Sequence, residues 1–194
     1  MIWGVMSISL KKGERLSLDK PGGLTRVRMG LGWDPAKGGW FSRGKAVDMD
    51  ASCILFSGDR PVDTVWFKQL ASRDGSVTHS GDNRTGDGEG DDESITVDLA
   101  RLPTEVDGLA FTVNSFTGET FEKVANCRCR LLDEAGGGQE LCNFALSEQG
   151  AHQGVLMAVM KKIGASWSFR AVGAAGTGRT FDALLPVAAA QLRD

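Results

Sequence analysis

Between Asp82 and Glu93 six of twelve residues are carboxylic acids: Asp82, Asp87, Glu89, Asp91, Asp92 and Glu93. Arg84 is the only base among them, so the stretch carries a local charge of −5. Carboxylates crowded this closely repel one another unless a cation neutralises them. Hard cations such as Ca²⁺ take about six to eight oxygen ligands, which carboxylates, the Asn83 amide and backbone carbonyls can supply. Gly86, Gly88 and Gly90 alternate with polar residues and let the backbone turn tightly enough to aim those oxygens inward. The segment therefore points to a bound divalent metal, with a solvated acidic turn as the plainer alternative. It is not an EF-hand. Asp82 and Glu93 have the spacing of that loop's first and last ligands, but Arg84, Gly86 and Asp87 stand at its third, fifth and sixth positions, and the sixth requires glycine.

Two further places offer oxygen donors. Asp34 closes the run Gly32-Trp33-Asp34, and Asp48 and Asp50 flank Met49. If Asp48-Met49-Asp50 opens a strand, its two carboxylates share a face, because side chains alternate along extended chain. They could complete a metal site or serve only to keep a sheet edge soluble.

Other constellations carry less. Gly173-Ala174-Ala175-Gly176-Thr177-Gly178-Arg179-Thr180 imitates a phosphate-binding loop, but Arg179 replaces the lysine and too little chain follows for an α/β nucleotide fold. A glycine turn is the better reading. Cys127 and Cys129 fall on one strand face, which disfavours a disulfide between them. With Cys142 and His152 they match no zinc spacing, and buried strand cysteines usually pack as small core residues. His79 is read as a support for the acidic loop or as solvent-facing, and neither histidine has a nucleophile motif nearby.

The elements that must hold these groups read as strands. Apolar and polar residues alternate at 8–10, 16–18, 27–29, 51–56, 63–70, 95–99, 109–113, 127–131 and 141–146, and apolar runs follow at 155–160 and 167–172. Glycine, at 26 of 194 residues, is about twice the usual share and supplies turn signals between the runs. Regular short strands without amphipathic helices between them predict an all-β, antiparallel β-sandwich. Residues 35–46 read as a long loop. Near the end, Thr180 is placed to cap a short C-terminal helix from Phe181 that Pro186 kinks or stops, with 187–192 resuming as a second piece. No repeat or linker divides the chain, so residues 1–194 are read as one domain.

The net charge of −3 and sequence pI near 5.5 leave no basic footprint for nucleic acid or anionic lipid. No apolar run approaches the roughly 18 residues of a membrane span, and residues 1–10 lack a basic secretion signal. Four cysteines then fit free thiols in a reducing compartment, which makes the cytoplasm the expected location.

Five segments stand out in consistent order: Met29-Gly30-Leu31-Gly32-Trp33-Asp34, Asp48-Met49-Asp50-Ala51, Asp63-Thr64-Val65-Trp66-Phe67, His79-Ser80-Gly81-Asp82-Asn83 through Gly90-Asp91-Asp92-Glu93, and Phe111-Thr112-Val113-Asn114. Together they resemble the TerD family of tellurium-resistance and stress proteins. The resemblance runs over residues 7–182. It implies a β-sandwich that binds one or two Ca²⁺ ions near the acidic loop and works in cytoplasmic stress complexes. The matching positions, and so the implied metal ligands, are Asp34, Asp48, Asp50, Asp82, Asn83, Asp91, Asp92 and Glu93. Arg84 departs from the family's usual uncharged residue and could weaken one metal position; Met49 between the paired aspartates is a second departure.

The reading is a non-enzymatic, calcium-binding stress module that acts through Ca²⁺-dependent interaction. Its expected partners are other Ter-type stress proteins and a membrane-bound component, without nucleic acid or direct membrane insertion. Two rivals stand beside it: a metal-assisted hydrolase using Asp91 or Glu93 as general base, and thiol-based tellurite handling through Cys127, Cys129 and Cys142.

Overall fold

The computed structural model describes residues 7–35, 48–81, 90–147 and 150–193. The expected loop at 35–46, apart from Pro35, and residues 82–89 of the acidic segment, with the expected ligands Asp82 and Asn83, lie outside the described residues.

Twelve strands occur among the described residues: β1 (Ile8–Leu10), β2 (Arg15–Ser17), β3 (Arg26–Pro35), β4 (Met49–Ser57), β5 (Arg60–Val65), β6 (Val77–His79), β7 (Glu93–Asp98), β8 (Gly108–Ser115), β9 (Val124–Asp133), β10 (Gln139–Ala145), β11 (Gly154–Ile163) and β12 (Ser166–Gly176). They form two six-stranded sheets. Sheet A runs β1-β10-β9-β3-β7-β6, and sheet B runs β2-β12-β11-β8-β4-β5. Val27, Met29, Leu31 and Trp33 of β3 face Met49, Ala51, Cys53 and Leu55 of β4 across one apolar core. The antiparallel sandwich is as the alternation predicts, with one exception: β1 runs parallel to β10.

Sheet B is covered on both faces. Ile54, Phe56, Ala110, Leu156 and Val159 point away from the first core into a second cluster with Leu184, Ala188, Ala189 and Leu192. That is why β4 and β8 are buried along nearly their whole length. Cover comes from a 3₁₀ turn, Phe181–Leu184, followed by helix α1, Leu185–Arg193. Pro186 does not interrupt this helix but opens it, because a first-turn proline lacks an N–H that has no intrahelical acceptor there. Nor does the Thr180 side chain cap the backbone; its hydroxyl donates to Asp182 Oδ2 at 2.7 Å. Gly108 and Gly176 admit the cover. A Cβ on Gly108 would lie 2.8 Å from Leu192 Cδ1, and one on Gly176 2.5 Å from Leu184 Cδ2.

One expected strand is cut short and one strand lies outside the expected runs. The run 63–70 is extended only to Val65, after which Trp66 and Gln69 exchange backbone hydrogen bonds in a tight reversal. Strand β6 was hidden in a turn-like sequence. Among the described residues no helix is long and apolar enough to cross a membrane.

Candidate functional site

The acidic segment leaves the described residues after Gly81 and re-enters at Gly90, just before β7. Its two feet are held differently. At the first, His79 is buried at the end of β6, and its Nδ1 accepts the backbone N–H of Gly81 at 3.0 Å. In the neutral ring the proton therefore sits on Nε2, which lies 3.2 Å from both the Ala51 carbonyl and Glu93 Oε2. Glu93 Oε2 also accepts the Ala51 N–H at 2.7 Å. Glu93, 1% exposed, thus reaches from sheet A across the sandwich to the backbone of β4. His79 supports the loop and does not face solvent.

At the second foot Asp92 donates its N–H to the Leu31 carbonyl at 2.9 Å, while its Oδ2 accepts the Trp33 N–H at 2.7 Å. Burial raises the Asp92 pKa above 3.8; the Trp33 hydrogen bond and the Arg128 charge oppose this, and Asp34 and Glu93 add to it. Three carboxylates therefore interact at this point. Asp34 is positioned by an irregularity in the β3–β9 pairing, where the register shifts between Gly32 and Asp34. Across from it Asn126 adopts φ 51°, the one left-handed non-glycine backbone among the described residues, and its amide donates to Asp34 Oδ2 at 2.7 Å. Such bulges commonly re-aim a side chain near a functional site.

Asp91 belongs to different surroundings. Both its oxygens are taken by Arg130, Oδ1 by Nε at 2.8 Å and Oδ2 by Nη2 at 3.0 Å, and Arg28 Nη1 stands 3.6 Å away. The hydrogen bond to Asp91 is the main cause of a raised Arg130 pKa. Arg128 meanwhile donates from Nη2 to the Gly90 carbonyl at 2.6 Å. These contacts need bare backbone beneath them: a Cβ on Gly30 would collide with the Asp91 carboxylate, and one on Gly32 would press on the Arg128 guanidinium.

Asp48 and Asp50 do not join the group of Asp34, Asp92 and Glu93. Met49 and Ala51 belong to the core between the sheets, so by alternation Asp50 lies on the opposite side of β4, with Ile54 and Phe56. Asp50 is 6% exposed and pairs in register with Asn114. Asn114 in turn donates to the carbonyls of Gly178 at 3.0 Å and Thr180 at 3.2 Å. The glycine-rich stretch at 173–180 is thereby the end of β12, up to Gly176, and a pinned turn from there into the helical cover, without the helix N-terminus that a phosphate loop uses.

Among the described residues no three His, Cys, Asp or Glu side chains close into a metal cage. The arginines that organise the loop's second foot, Arg28, Arg128 and Arg130, escaped the sequence reading because they lie on β3 and β9, far from it in the chain. The one available signal was the alternation of Arg128 and Arg130 with the core residues Cys127, Cys129 and Leu131. Those two cysteines, with Cys53 and Cys142, are buried free thiols.

Comparison with known proteins agrees with this architecture. The TerD domain family model matches residues 6–186. The chain is 46% identical over 182 residues to tellurium resistance protein TerZ of Serratia marcescens, covering 90% of this chain and 93% of the relative. It is 37% identical to stress response protein SCP2 of Bacillus subtilis, covering 87% and 92%. A crystal structure of a telluride resistance protein (TerD) homologue from Streptomyces coelicolor A3(2) superposes with a TM-score of 0.66 at 25% identity, over 81% of this chain and 93% of that one. With a family match over residues 6–186, relatives named for tellurium resistance and stress response, and the same sandwich in a solved homologue, the chain belongs to the TerD family of tellurium-resistance and stress-response proteins.

Proposed function

We propose that this protein is a calcium-binding, non-enzymatic stress-response module that works in the cytoplasm, its ordered loop engaging a Ter-type protein or a membrane-bound component. The observation that carries the reading is the Asp92 carboxyl at the re-entry of the acidic segment, where burial first, and then the charges of Asp34 and Glu93, oppose its ionisation. A bound cation would remove that penalty. Fit to Ca²⁺ is partial within the described residues, which offer hard oxygen donors but no closed cage. The remaining oxygens would come from Asp82, Asn83 and their neighbours, with Asp48 and Asp50 as donors to a second ion on the far side of β4. Asp91, held by Arg130, serves this reading best as the anchor of the loop.

The thiol rival is weakened by burial, which pushes the Cys127 and Cys142 thiols up to about 12 and Cys129 well above its ordinary value. Thiolate, the reactive form, is then scarce near neutral pH. No geometry among the described residues favours the hydrolase.

Calorimetric titration of chelator-treated protein with Ca²⁺ and Mg²⁺ tests the proposal. Ca²⁺ should bind and raise the melting temperature, contributing about 2.7 kcal/mol at a hundredfold excess over Kd. Mg²⁺, which demands strict octahedral geometry and keeps its waters, should do less. Asp92→Asn should weaken Ca²⁺ binding at least about tenfold, as expected for loss of a charged ligand. Absence of any Ca²⁺ heat or melting shift refutes the reading, and wild-type affinity in Asp92→Asn removes this carboxylate from the site.

A further inference from the structure

The Asp63-Thr64-Val65-Trp66-Phe67 motif has no part in the acidic site, yet the chain folds carefully around it. Trp66 N donates to Gln69 O at 3.0 Å and Gln69 N to Trp66 O at 2.9 Å, which leaves Phe67 and Lys68 at the tip of a tight reversal. Asp63 holds the reversal from below, its Oδ1 accepting from Gln69 Nε2 at 2.9 Å and its Oδ2 from the Arg73 N–H at 2.8 Å. Around the tip stand steeply inclined rings. Trp66 and Phe67 meet at 4.9 Å and 68°, and Phe67 and Phe116 at 5.2 Å and 66°. Phe181 braces Trp66 from the far side at 5.2 Å and 79°. Lys68 Nζ lies over all three inner rings, 5.3 Å from the centroid of each.

An ammonium equidistant from three inclined aromatic faces defines a cation cage. We propose that Trp66, Phe67 and Phe116 form a binding site for a small quaternary alkylammonium, with Lys68 as a built-in occupant that the ligand displaces. The lysine shows which charge the rings accept. It is also a poor competitor, because a primary ammonium is strongly hydrated and carries three N–H donors that the rings cannot satisfy as water does. A quaternary ammonium has no donors and gives up its weaker hydration readily, so more of the ring attraction is retained. Access is open: Phe116 is 42% exposed, and Lys68 lies on the surface with a flexible stem that can swing into solvent.

The test titrates the full chain with choline and, in parallel, with its uncharged isostere 3,3-dimethylbutanol at fixed ionic strength, reading the Trp66 and Phe116 ring-proton shifts by NMR. Choline should bind about threefold or more tightly than the isostere, the factor one exposed cation–π contact supplies. Lys68→Ser should strengthen choline binding several-fold by emptying the cage. Phe116→Leu, at an exposed position where folding is not at stake, should weaken it several-fold. The proposal is overturned if the isostere binds as well as choline, if Lys68→Ser leaves choline affinity unchanged, or if choline moves neither ring in Lys68→Ser.

Discussion

Sheet A turns Arg28, Arg128 and Arg130 outward beside Gly30 and Gly32, whereas sheet B turns Ile54, Phe56, Leu156 and Val159 outward beneath α1. Both outer faces use glycine to let a cover come close, Asp91 and Arg128 on one sheet, Leu184 and Leu192 on the other. The covers are opposite in kind. On sheet B the contact is apolar, with no charge to screen or titrate, and its strength scales with buried area. On sheet A it is ionic and half-open to water, with Arg130 35% exposed against 7% for Asp91.

The largest effect should come from the apolar face. Leu184 is fully buried between α1 and sheet B, so Leu184→Ala should cost about 2–5 kcal/mol. Denaturant unfolding of the metal-free protein measures this loss, and Ca²⁺ affinity of the folded variant should be unchanged. A fall in affinity as large as that of Asp92→Asn would mean that the two faces are coupled.

Smaller effects belong to the ionic face. Arg130→Met leaves a nearly buried Asp91 without its two-pronged partner, and the expected cost is about 1–2 kcal/mol, between exposed and buried ion pairs. Adding Asp91→Asn should restore part of that stability, as measured by a double-mutant cycle. If the loop is anchored as proposed, Arg130→Met should also weaken Ca²⁺ binding; unchanged affinity would make the pair purely structural.

Asp92→Asn should have the smallest effect on stability, and its sign depends on pH. Because the folded-state pKa of Asp92 is raised above 3.8, the native state binds more protons than the unfolded one around that pH, and this carboxyl lowers stability as pH rises through the window. Asparagine can still accept the Trp33 N–H. Without metal, the variant should therefore melt slightly above wild type at neutral pH and match it below pH 3.8. In saturating Ca²⁺ the order should reverse. A variant less stable than wild type at neutral pH without metal would contradict the crowding of Asp34, Asp92 and Glu93.

Much of this architecture was legible in the alternation of residues such as Cys127, Arg128, Cys129, Arg130 and Leu131, which sorts one face inward whatever the partner strand. Pairing partners were not legible, since alternation says nothing of neighbours; hence the parallel β1 and the position of Asp50 on the far side of β4 came only from the fold. Strand β6 was missed because three residues ending in His79 carry too little pattern to separate them from a turn. Trp66 and Phe67 misled in the other direction. Aromatic residues favour strands, but the hydrogen bonds Asp63 makes to Gln69 and Arg73 bend the chain at once. In the acidic segment the charge density was plain, whereas the fate of each carboxylate depended on arginines and backbone amides remote in sequence.

The first two strands divide their allegiance. β1 lies at the edge of sheet A against β10, with Ser9 bonded to an Asn143 side chain 134 positions away, and β2 lies at the edge of sheet B against β12. A ribosome delivers these strands well before their partners, so they wait for more than a hundred residues with nowhere to go. Such distant pairings make folding slow. They also mean that the sandwich is clasped along these edges only once β10 and β12 have emerged, and that two strands made before the rest of their sheets are seated after them.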